Sequence, residues 1–222
     1  MSEVEGASGA GVATAPEVAS WIRAFAAVVG ERKDELTKLD QAIGDADHGI
    51  NMDRGMRAVI DKLDGGEPGD VGALMKTVAM TLISKVGGAS GPLYGTFFLQ
   101  FGTAAGDATE LSPEAWADCF DAAVAGVKAR GKAEPGDKTM LDSLLPAGAA
   151  LRAAVGEGAG LGSALARASA AADEGVAATI PLVARKGRAS YLGERSAGHQ
   201  DPGATSSALL VGCAARTWAD GS

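Results

Sequence analysis

Residues 39–51 read LDQAIGDADHGIN. Asp40, Asp45 and Asp47 fall close together, beside His48, one of only 2 histidines in the chain. Carboxylate oxygens without thiolates are hard donors and suit Mg²⁺ or Ca²⁺. At about 100° per residue Asp40 and Asp47 would share a helical face, but Asp45 would sit about 140° from Asp40. One continuous helix therefore cannot gather all three, and Gly44 lets the backbone turn between them. Carboxylates brought ~5 Å apart repel by roughly 3 kcal/mol per pair at an effective dielectric near 20, so convergence calls for a cation. The spacing is not that of an EF-hand, which needs a third ligand followed by glycine and a glutamate at the twelfth position. Mg²⁺ is ordinarily completed by water and substrate phosphates, which makes a nucleotide phosphate a natural partner. The plain alternative is a solvated acidic turn with aspartate as a helix cap.

Three other stretches fit an anion site. HGINMDRG, from His48, opens a helix whose first N–H groups would attract a phosphate, with His48 placed to donate. GGASGPLYG (87–95) leads small residues into a helix, and amides near Ala89 and Ser90 could cradle phosphate; close helix packing explains the same glycines. RKGRASYLGERSAGHQDPGATS (185–206) gathers Arg185, Lys186, Arg188, Arg195 and His199, and basic side chains on such a loop could fold over phosphates. GKAEPGDKT (131–139) imitates a Walker A loop, but Asp137 intrudes before Lys138-Thr139 and no strand precedes it, so that reading is rejected.

The elements that must position these residues read as helices. Val18, Trp21, Ile22, Phe25, Val28 and Val29 recur at helical spacing after Pro16. Further helical segments cover about 31–42, 52–63, 71–86, 90–106, 113–128, 140–155 and 162–179, and a last begins at DPGATSS. LSPEAW places serine at a cap and proline at the first helical position. Short connections make neighbours antiparallel, and the expectation is an all-α, up-and-down bundle of about eight helices. No convincing strand alternation and no 20–50-residue repeat is found. The domain is expected over 15–222, after an acidic, Gly/Ala-rich flexible tail over 1–14.

Bulk properties narrow the classes. The chain has 222 residues, 46% apolar and 22% charged, enough for one large domain with a sizeable core. A net charge of −8 argues against nucleic acid or an anionic membrane as partner. Cys119 and Cys213 lie in apolar helical stretches, which makes them buried thiols and implies no disulfide framework. With no signal peptide and no apolar run of ~20 residues, the expected compartment is the cytoplasm.

Taken together and in this order, LDQAIGDADHGINM, GGASGPLYG, GDKTMLDSL and GHQDPGATS resemble the nucleotide-binding L subunit of dihydroxyacetone kinase and the matching domain of single-chain dihydroxyacetone kinases. The resemblance implies a barrel-like bundle of eight antiparallel helices with ADP or ATP at one end. It implies that Asp40, Asp45 and Asp47 hold two Mg²⁺ ions and act catalytically with Arg188. His48, Gly49, Ile50, Asn51, Ala89 and Ser90 would contact the nucleotide. Leu93, Gly131, Thr139 and Met140 would form the adenine pocket, closed by Asp201, Pro202 and Gly203. Arg188 would reach the phosphates, with Arg185 and Arg195 as its rivals for that place. The family implies a separate K subunit carrying dihydroxyacetone on its own histidine, and a phosphotransferase-system M subunit that rephosphorylates ADP in place. The chain has no room for a K domain, so a stand-alone L subunit is expected, and a homodimer is compatible with it. The competing readings are a related ketose or fatty-acid kinase domain using free ATP, and an interaction module for a transcription regulator.

Overall fold

A computed structural model describes residues 11–219. The described residues form nine α-helices: α1 (Ala15–Glu31), α2 (Lys33–Ile43), α3 (His48–Asp64), α4 (Val71–Lys85), α5 (Ser90–Ala105), α6 (Pro113–Gly131), α7 (Leu141–Gly156), α8 (Leu161–Ala178) and α9 (Pro202–Thr217). Their starts follow from local chemistry. The Ser112 and Asp70 side chains accept the backbone N–H groups of Ala115 and Ala73, and Pro113 takes the first turn of α6, where its missing N–H costs nothing.

Packing closes the helices into a ring. α3 packs on α4, α4 on α5, and so on round to α9, which packs on α1, and α1 completes the circuit on α3. Eight helices make that ring, and each runs antiparallel to both neighbours. The ninth, α2, follows α1 after the single residue Arg32 and leans on α3 and α9. The expectation of about eight antiparallel helices in a barrel-like bundle is thus met, with α2 as an added flank. The interior is filled. Trp21, Phe25, Phe97, Phe98, Phe101 and Trp116 are fully buried, and the Trp21 and Trp116 rings lie 5.1 Å apart. Cys119 and Cys213 are buried and unpaired, as expected.

Two features differ from the sequence reading. Ala13–Thr14 pairs antiparallel with Glu110–Leu111, a two-residue ladder too short to show alternation in a sequence. Thr14 also donates its N–H to the Glu17 carboxylate at the start of α1. Ala13 and Thr14, at the end of the expected tail, are therefore held against the domain, and residues 1–10 lie outside those described. In the stretch 185–206, taken as a loop, Arg188–Ser196 forms 3-10 turns broken at Gly193. No helix among the described residues is long and apolar enough to cross a membrane.

Candidate functional site

Antiparallel order brings the C-terminal ends of α1, α4, α6 and α8 and the N-terminal starts of α3, α5, α7 and α9 to one end of the ring, where α2 also ends just before α3. Asp40 sits in the last turn of α2. The chain then turns through Gly44, whose added Cβ would lie 2.0 Å from Asp40 Oδ1, and through Ala46, held at φ 61 in the left-handed region. That reversal returns Asp45 and Asp47 to Asp40. One ligand oxygen from each of the three carboxylates lies within 4.8 Å of the others. Asp40 is buried, and its Oδ2 accepts the N–H groups of Asp47 (2.8 Å) and His48 (3.1 Å). Two of the amides at the start of α3, expected to face a phosphate, therefore hold the Asp40 carboxylate instead. Gly49 lets α3 approach α2 this closely, since a Cβ there would fall 2.1 Å from the Lys33 carbonyl oxygen.

Behind the carboxylates runs a buried polar chain. The His48 ring is bonded at Nδ1 to the Ser90 hydroxyl (3.0 Å) and at Nε2 to the Ser206 hydroxyl (2.8 Å). Ser206 in turn meets Tyr94 at 2.7 Å and donates to the Gly203 carbonyl at 3.1 Å. A neutral ring donates from one of these nitrogens and accepts at the other, so each serine hydroxyl is a partner it can use in either tautomer. Burial pushes the His48 pKa down to about 4, against the pull of Asp40, so the ring is neutral. The starts of α3, α5 and α9 are tied together through one imidazole.

The opposite wall is the loop 132–140. Asp142 accepts the N–H groups of Gly136 (2.5 Å) and Thr139 (2.7 Å), folding the loop back on α7. Lys138 takes a left-handed φ of 63 and is buried. Asp201 caps α9 through the Ala204 N–H at 2.7 Å, and burial pushes its carboxyl up to about 7 despite that bond.

Between these walls lies a cleft of about 400 Å³. Asp40, Asp45, Asp47, His48, Ala89, Ser90, Leu93, Gly131, Thr139, Met140, Arg188, Asp201, Pro202 and Gly203 all line it. Gly49, Ile50 and Asn51 do not: Gly49 is packed on α2, Ile50 is half-exposed, and Asn51 is buried and accepts from Arg54 Nη2 at 2.7 Å. Lys186 and Arg188 line the cleft, whereas Arg185 and Arg195 are exposed outside it. Arg188 Nε lies 2.8 Å from Asp45 Oδ2, with both side chains well exposed, an arrangement easily exchanged for a phosphate. Sequence reasoning missed Tyr94, Arg130 and Lys138 as cleft residues. The lysine stood in plain view within GDKT, but the Walker comparison set it aside.

The donor set fits a hard divalent cation: three carboxylates, one of them fixed by two backbone amides, on the rim of a cleft large enough for a nucleotide. Apolar Leu93, Val127, Met140 and Pro202 suit a flat base, while Arg130, Lys186 and Arg188 supply positive charge.

Comparison with known proteins identifies the relatives of this chain. The family described as the DAK2 domain matches residues 42–216. The PEP-dependent dihydroxyacetone kinase ADP-binding subunit DhaL of Escherichia coli (strain K12) is 46% identical over 195 residues, covering 88% of this chain and 93% of that one. Triokinase/FMN cyclase of Homo sapiens is 37% identical over 182 residues, 81% of this chain but 31% of its own length. The crystal structure of the C. freundii dihydroxyacetone kinase in complex with AMP-PNP and Mg²⁺ superposes with a TM-score of 0.69 at 25% identity, covering 97% of this chain and 37% of that one. The bundle, the carboxylate cleft and these likenesses converge: the chain belongs to the DAK2 domain family, in the form represented by the ADP-binding subunits of dihydroxyacetone kinase.

Proposed function

We propose that this chain is the nucleotide-binding subunit of a dihydroxyacetone kinase, holding Mg-ADP or Mg-ATP in the cleft and passing the γ-phosphoryl group to dihydroxyacetone presented by a separate K subunit. The observation that carries the reading is the convergence of Asp40, Asp45 and Asp47 on the rim of a cleft with an apolar back and a basic flank. Asp40, Asp45 and Asp47 would hold two magnesium ions, which supply charge neutralisation at the β and γ phosphates. Asp40 is pre-oriented for this by the amides of Asp47 and His48. Arg188, released from Asp45, steadies the charge that develops on the transferred group. The start of α5 at Ala89 and Ser90 offers backbone N–H groups toward the phosphates. Leu93, Met140 and Pro202 exclude water from the base. The sugar hydroxyl is the attacking group, so this chain needs no nucleophile of its own; its work is positioning and electrostatics.

The name of the Escherichia coli relative, a PEP-dependent kinase's ADP-binding subunit, supports phosphoenolpyruvate rather than free ATP as the source of the phosphoryl group; on this reading the bound nucleotide is recharged in place by an M subunit rather than exchanged. Denaturing the purified protein and identifying what it releases tests this. Stoichiometric ADP is expected. A site that is empty on purification and turns over free ATP with a K partner would replace the recharging reading with ordinary ATP-dependent transfer.

A further inference from the structure

Lys138 is only 1% exposed, yet it carries an ammonium group. Its Nζ lies within hydrogen-bond distance of the backbone carbonyl oxygens of Thr179 (2.9 Å), Leu182 (3.1 Å), Ser196 (2.8 Å), His199 (2.5 Å) and Ile180 (3.4 Å). An ammonium has three protons. More carbonyls surround it than it can serve, which is the shell of a coordinated monovalent cation rather than an ordinary hydrogen-bond set. All these oxygens come from 179–199, on both sides of the 3-10 turns that begin at Arg188. The same segment carries Lys186 and Arg188 to the cleft, and Lys138 is adjacent to Thr139 on the opposite wall. Carbonyl dipoles aimed at one point repel one another when nothing positive lies between them. The segment therefore has its closed shape only around a cation. The left-handed backbone at Lys138, with Asp142 holding the amides on both sides, is what aims the side chain there.

We propose that Lys138 is a positioning residue that serves as a tethered monovalent cation: its ammonium folds the carbonyls of 179–199 around itself and thereby sets Arg188 over the cleft. The role in turnover rests on the nucleotide reading above; the cage itself does not. The experiment uses the full chain with Lys138→Ala, which opens a space the size of propylammonium, and Lys138→Met, which fills that space without charge. Limited trypsin digestion reads the segment through cleavage at Arg185, Lys186, Arg188 and Arg195. Mg-ADP affinity and turnover with a K partner read the site. In Lys138→Ala, cleavage in the segment should quicken at least about tenfold and turnover should fall by a similar factor, more than ADP affinity does. Propylammonium chloride should restore protection and turnover where choline chloride at equal ionic strength does not, and Lys138→Met should be impaired and insensitive to both. Wild-type protection in Lys138→Ala, or a loss that no small cation repairs, would overturn the proposal. If neither substituted chain folds, the wild-type chain decides: Lys138 should resist acetic anhydride while exposed Lys132 reacts, and equal reactivity in the folded protein would sink it. Cation-dependent protection of Lys138→Ala, together with no Mg-ADP binding by the wild-type chain, would leave the cage standing and remove the nucleotide reading.

Discussion

Asp40 both faces the cleft and caps α3, so its carboxylate is the most constrained of the three. Asp45 is free of that second duty, and its partner Arg188 is exposed. Arg188→Ala should therefore leave ADP affinity within about threefold while turnover with a K partner falls by about a hundredfold or more; an equal loss of both would make Arg188 a binding residue only. His48 shows its importance through pH. Its folded-state pKa near 4 lies below the usual value of 6.5, so the neutral ring contributes stability that is present above about pH 6.5 and lost as pH falls toward 4. Wild type should lose up to about 3 kcal/mol more than His48→Gln between those pH values, read by urea unfolding of both chains. Parallel acid limbs in the two chains would show that the imidazole is not held neutral between Ser90 and Ser206.

At the scale of elements, the site depends on how closely α3 meets α2. Gly49→Ala would force a Cβ against the Lys33 carbonyl and the Thr37 hydroxyl. A stability loss of about 1–3 kcal/mol, together with weaker ADP binding, is expected by urea titration and calorimetry; unchanged binding would mean that the α2–α3 spacing does not set the carboxylates. The helices were legible because apolar residues at 3.6-residue spacing mark a buried face whatever the tertiary partner. The acidic turn was legible because its side chains bear the chemistry. The caging of Lys138 was not, since its partners are main-chain oxygens some 40–60 positions downstream, and carbonyls leave no trace in side-chain identity. The α3 start was misread in one respect: spacing shows that a helix begins there, but not that Asp40, one turn before the bend, occupies two of its amides.

Across the whole molecule, an even ring of antiparallel helices separates two ends. The cleft collects helix starts and stops at one end; Trp21, Phe101, Trp116 and Trp218 cluster toward the other. The 16-residue α5 alone spans about 24 Å between them. Trp21→Phe removes the bond from Nε1 to the Leu210 carbonyl and should lower stability by about 1–3 kcal/mol without changing ADP affinity. A matching drop in affinity would show that the ends are coupled. The central claim is that three carboxylates hold a nucleotide through magnesium. Its most direct test is calorimetric titration of nucleotide-free protein with ADP, with magnesium and with EDTA, for wild type and Asp45→Asn. Wild-type binding should require magnesium, and Asp45→Asn should weaken it by about tenfold or more while melting like wild type. Equal ADP affinity in EDTA, or an unaltered affinity in Asp45→Asn, would contradict the account.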